Sequence, residues 1–184
     1  VKQKHRKSWA LALGGVFGAL AVAVMLLGAV IPLAMFIAPA FAGLLVMFAC
    51  AECGPRMAVT LYTAISILSI LFVPDKEVAL VFVGILGYWP LIKPRYDTIR
   101  SPALRALAKS FTFILAILAI YSLVFVLFPA TQISDDLKEA GLALTAATLL
   151  VGNIAFLLYD KAMASLLRLY RLVWQPKLHH MLGG

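Results

Sequence analysis

Uncharged apolar runs alternate along the chain with short charged or proline-bearing breaks, and the pattern predicts six helical spans at about residues 9–31, 33–51, 57–73, 78–92, 110–128 and 140–159. Crossing about 30 Å of hydrocarbon takes about 20 helical residues, and most of these runs meet that length. The fourth is short, so it must borrow flanking residues, tilt little, or thin the bilayer locally. Pro32, the string Glu52-Cys53-Gly54-Pro55-Arg56, the string Pro74-Asp75-Lys76-Glu77 and the string Lys93-Pro94-Arg95-Tyr96-Asp97 mark helix ends, because proline cannot donate the helical hydrogen bond. Pro39, midway along the second run, predicts a kink. Beyond residue 159, Asp160, Lys161, Arg168 and Arg171 interleave with leucines. Residues 160–177 therefore read as an amphipathic cytoplasmic extension lying at the inner surface, with Trp174 at headgroup level.

Composition removes the soluble classes. Of 184 residues, 64% are hydrophobic and 13% charged, where soluble domains run at roughly half and a quarter. The run 9–31 is too long for the apolar core of a signal peptide, and no polar domain follows it. The expected fold is an all-α integral membrane protein. It is a single transmembrane domain over residues 1–184, a six-transmembrane-helix bundle with its N- and C-termini cytoplasmic.

The net charge of +8 fits that layout without a nucleic-acid partner. Six spans put both ends on one side. With the basic N-terminus inside, all 16 Lys and Arg except Lys76 and Lys138 fall inside, as the positive-inside rule expects for short loops. Asp75, Glu77, Asp135, Asp136 and Glu139 then lie outside.

No ionisable residue falls in the middle of a run, which argues against a proton pump, a charge-lined channel or a voltage sensor. Glu52 and Asp160 sit at inner ends of their runs and could meet in space, but solvated interfacial acids are the commoner case. The inner segment 93–109 carries five basic residues and one acid, with Tyr88 and Trp89 before it as interfacial aromatics. It reads as a lipid anchor or a docking surface. No nucleotide-binding, nucleophile-elbow or zinc-protease motif occurs, so enzymatic activity is not expected. Cys50 and Cys53 are the only cysteines, and His5, His179 and His180 lie in the tails. They are too few and too scattered for a four-ligand zinc site, and neither metal nor cofactor is expected.

Neutral polar groups remain. Tyr121, Thr145, Thr148 and Asn153 on the fifth and sixth spans could line an outward-facing solute pocket with Asp75, Lys76 and Glu77 of the tight outer turn. Residues 129–139, the longest outer connection, would lie over it. In the first span Gly15, Ala19 and Ala23 recur every fourth residue, with Gly14 and Gly18 beside them. Such a ridge admits a second helix at close range, either from this chain or from a partner.

Chain length, six spans with both tails inside and the Gly15, Ala19, Ala23 ridge together resemble the substrate-binding S components of energy-coupling factor (ECF) transporters. The resemblance implies a multi-pass protein of a prokaryotic plasma membrane that takes up a vitamin or other micronutrient. It also implies capture of the solute from outside, and docking through the first-helix ridge onto a transmembrane T component driven by cytoplasmic ATPases. The competing expectation is a membrane scaffold or assembly protein without a small-molecule ligand, in the manner of the six-span rod-shape protein of the bacterial cell-wall elongation machinery.

Overall fold

Gly54 takes φ +88°, a backbone conformation that residues with a Cβ rarely adopt, and Pro55 follows as the first residue of a helix. Its missing N–H is no loss there, because the first turn has no internal acceptors. At the opposite end of that helix the turn is held by charge. Asp75 caps the next helix by accepting from the Glu77 backbone N–H at 2.9 Å. Lys76 Nζ donates to the carbonyls of Ile70 and Val73 at 2.9 and 3.0 Å, which are orphaned where the helix stops.

The computed structural model describes residues 2–31, 34–127 and 132–174, with side chains described within 8–31, 34–123 and 144–172. Its helices are α1 (Lys2–Gly28), α2 (Ile37–Cys53), α3 (Pro55–Phe72), α4 (Lys76–Val81), α5 (Trp89–Asp97), α6 (Pro102–Leu127) and α7 (Gln132–Leu169). A wide π-helical turn, Phe82–Leu86, joins α4 to α5, and a second, Tyr170–Trp174, extends α7. No strand occurs among the described residues. Among them five helical segments are long and apolar enough to cross a membrane, and α2 is a shorter apolar helix. Large apolar side chains such as Leu107, Leu118, Leu150 and Leu158 are exposed, which suits a lipid-facing surface better than a watery one.

Several expected boundaries shift. The fourth run borrows flanking residues, the first of the three expected ways to make up its length: Lys76–Asp97 forms one broken segment of 22 residues, because α5 carries on through Lys93 and Pro94. α6 begins at Pro102 rather than near 110, and α7 begins at Gln132 rather than near 140. The extension after residue 159 is a direct continuation of α7 as far as Trp174. Pro39 makes no kink mid-helix, because α2 starts at Ile37 and places Pro39 in the first turn, where the ring is tolerated.

Two apolar cores meet along α2 and the broken segment. One joins Ala21 and Met25 of α1, Ala42, Val46 and Ala49 of α2, Ala58, Leu61 and Ile65 of α3, and Val78, Ala79 and Phe82. The other joins Met47, Ile85, Leu86 and Trp89 to Phe113 of α6 and Phe156 and Met163 of α7. The π turn makes the change of face. Gly87 N–H reaches back five residues to the Phe82 carbonyl at 2.7 Å, which widens the coil and leaves the Val83 carbonyl without its usual helical donor. Tyr62 of α3 supplies one, its hydroxyl donating to Val83 O at 2.7 Å. At the same level Gly43 lets α2 approach the turn closely: a Cβ there would lie 2.6 Å from the Leu86 carbonyl oxygen and overlap the Tyr159 hydroxyl.

Candidate functional site

The second core ends in charge. Asp160 of α7 has both carboxylate oxygens occupied. Oδ1 accepts from Lys93 Nζ of α5 and from the Trp89 indole N–H, the latter at 2.9 Å, while Oδ2 accepts from Lys109 Nζ of α6 at 2.6 Å. Asp97, the last residue of α5, closes the ring. Its Oδ1 lies 2.9 Å from Lys109 Nζ and its Oδ2 lies 3.4 Å from Lys93 Nζ. Two ammonium and two carboxylate groups from three helices thus form a neutral quartet. Lys93, Lys109 and Asp160 are buried, at 7%, 5% and 6% exposure. Only the Asp97 side chain, at 39%, reaches the surface.

Aromatic rings wall in the quartet. Trp89, fully buried, packs edge-on against Phe156 at 4.6 Å and tilts against Tyr96 at 5.4 Å; Phe113 stacks on Phe156 at 5.1 Å. Lys109 Nζ stands 6.0 Å from the Trp89 ring centroid, within cation–π range. Tyr96 and Thr112 share a 2.6 Å hydroxyl contact that ties α5 to α6. The turn that carries Asp97 is itself held: Thr98 donates to Arg95 O, Arg105 donates through Nε and Nη2 to Ile99 O, and Ser101 Oγ accepts from Leu104 N–H.

These residues correct the expectation of solvated interfacial charge. Asp160 lies about ten residues, and so about 15 Å along the helix, before Tyr170, whose hydroxyl donates to Glu52 at 2.7 Å. Glu52 and Asp160 therefore have separate partners. Trp89 is a core residue rather than an interfacial anchor. The segment 93–109 sends Lys93 and Lys109 inward, while Arg95 and Arg100 face outward. The available signal was that Asp97 and Asp160 are the lone acids in their basic stretches, with aromatic residues four positions or fewer away.

Most of the residues expected to bind solute have hydrogen-bonding roles in the turns and helices that carry them. Asp75 and Lys76 are engaged in the α3–α4 turn, where Glu77 contributes its backbone N–H. Tyr121 is 42% exposed, and Thr148 is exposed and returns its hydroxyl to Leu144 O. Thr145 is half-buried one turn before Thr148. Asn153 joins α7 to α6, accepting from the Ser110 hydroxyl at 2.9 Å and donating to Ser110 O at 3.4 Å. The side chains of residues 129–139, Trp174, His5, His179 and His180 lie outside the described residues.

The α1 ridge divides. Gly14 and Gly18 face inward, where an added Cβ would meet Met57 at 2.7 Å and Leu61 at 3.1 Å. Gly15, Ala19 and Ala23 are exposed, and a Cβ on Gly15 would meet nothing within 4 Å. Cys50 and Cys53 are both free thiols; Cys53 Sγ points to the Ala10 carbonyl at 3.9 Å. Among the described residues no group of three His, Cys, Asp or Glu converges to hold a metal. No protein-family model, no curated protein and no solved structure matches the chain.

Proposed function

We propose that this chain is a multi-pass subunit of a prokaryotic plasma membrane, with both ends cytoplasmic, that takes up a small solute and docks on a T-type membrane partner powered by separate ATPases. The observation that carries the reading is the ridge. Gly15, Ala19 and Ala23 form a smooth exposed strip that no helix of this chain covers among the described residues. Without a hydrophobic drive between helices in lipid, small residues permit the close contact that association requires. The orientation rests on the basic residues gathered at one end.

Replacing Ala19 and Ala23 together by leucine should reduce the recovered membrane partner and its ATPases by about tenfold or more, equivalent to about 1.4 kcal/mol. The thermal midpoint in detergent should stay unchanged, because both side chains point outward. Unchanged recovery of the same partner would overturn the docking reading.

A second reading, a scaffold without a solute, is favoured by one observation: Asp75, Lys76 and Asn153 are used to build turns and helix pairs. Native mass spectrometry of the gently extracted protein separates the two, because a co-bound metabolite supports uptake and a ligand-free complex with a membrane partner supports the scaffold.

A further inference from the structure

The two carboxylates of the quartet are held differently. Asp160 is saturated by Trp89, Lys93 and Lys109. Its single negative charge leaves one of the two buried lysine charges unbalanced. Asp97 supplies the balance, and it does so as a ligand would: one carboxylate is held by two ammonium groups from different helices, one to each oxygen.

Asp97 is also the member most easily removed. It is the only one with substantial exposure, so its side chain can swing into solvent without crossing the core. It stands at the C-terminal end of α5, where the aligned peptide dipoles disfavour negative charge. Arg95 and Arg100, both exposed, flank it in sequence and would draw an incoming anion toward Asp97.

We propose that Asp97 is a built-in plug on a two-lysine anion site, and that a phosphate group displaces it to bind Lys93 and Lys109. An anionic lipid headgroup and free inorganic phosphate share this chemistry. The basic end of the bundle brings the site toward the headgroup layer, and buried Lys93 and Lys109 offer donors to phosphate oxygens through charge-assisted hydrogen bonds. In the plugged state the apparent affinity is lowered by the fraction of molecules in which Asp97 occupies the position.

The test titrates purified protein in a neutral detergent with phosphatidylglycerol, phosphatidylcholine or inorganic phosphate, read by native mass spectrometry. Asp97→Ala should bind phosphatidylglycerol about tenfold more tightly than the unaltered chain, with no gain for phosphatidylcholine. The double variant Asp97→Ala/Lys109→Met removes one charge of each sign and stays neutral, so it keeps the fold while losing the clamp. It should fall back to the level of phosphatidylcholine. A matching gain for inorganic phosphate would identify a free-anion site, and a gain confined to phosphatidylglycerol would identify a headgroup site; both support the proposal. Equal phosphatidylglycerol binding by Asp97→Ala and the double variant would assign the binding to surface arginines and overturn it. Absence of any gain on removing Asp97 would overturn it equally.

Discussion

Asp160→Asn is expected to destabilise the protein by about 3–5 kcal/mol, the usual effect of breaking a buried ion pair from one side. The loss is one of charge. Asparagine nearly preserves the volume and can still accept from Trp89, but Lys93 and Lys109 are left with Asp97 alone and one positive charge is stranded in a largely buried position. The second variant, Asp160→Asn/Lys109→Met, restores neutrality by leaving the Lys93–Asp97 pair, and it should recover a large part of the loss. A double-mutant cycle on unfolding in mixed micelles measures the coupling. Wild-type stability in Asp160→Asn would mean that the quartet is hydrated and contributes little.

The second large effect is steric. Gly43→Leu puts a Cβ against the Leu86 carbonyl and the Tyr159 hydroxyl, and the carbonyl belongs to backbone that cannot rotate away. Overpacking a filled core costs about 1–3 kcal/mol, and this site should lie at or above the upper end of that range. Tyr159 would also lose its 3.2 Å bond to the Ala40 carbonyl. Gly15→Leu is the matched control, because it enters open space and should change stability by less than about 0.5 kcal/mol. If the two glycines behaved alike on thermal unfolding, the close approach of α2 to the π turn would be wrong.

The contrast between those glycines shows where local sequence stops being informative. Four-residue spacing marks a smooth strip on α1, yet Gly14 and Gly15 are adjacent, and only the position of α3 decides which of them faces the interior. The turns were legible because their causes are local: Gly54 precedes a proline, and Asp75 stands two residues before the N–H that it accepts. The quartet was not legible, because Lys93 and Asp160 are separated by 67 positions. Each taken alone resembles a charge placed at the end of an apolar run to stay in water. Pro39 shows the same limit, since its effect depends on where α2 begins. Lys93 hid the length of α5 for a related reason: a charged residue followed by a proline reads as a helix end until its counter-ion is known.

The wide turn at Phe82–Leu86 amounts to one additional residue inside an otherwise regular coil. Five residues there cover the arc that about four cover in an α-helix, so the surplus is absorbed on the spot and the coil keeps its phase on both sides. Excising one amino acid from the turn would close it into regular helix and leave Lys93 and Asp97 on the face they now occupy. Excising one between Trp89 and Lys93, where nothing absorbs the loss, would instead rotate Lys93 and Asp97 by about 100° away from Lys109 and Asp160, with no change to any of the four charged side chains themselves.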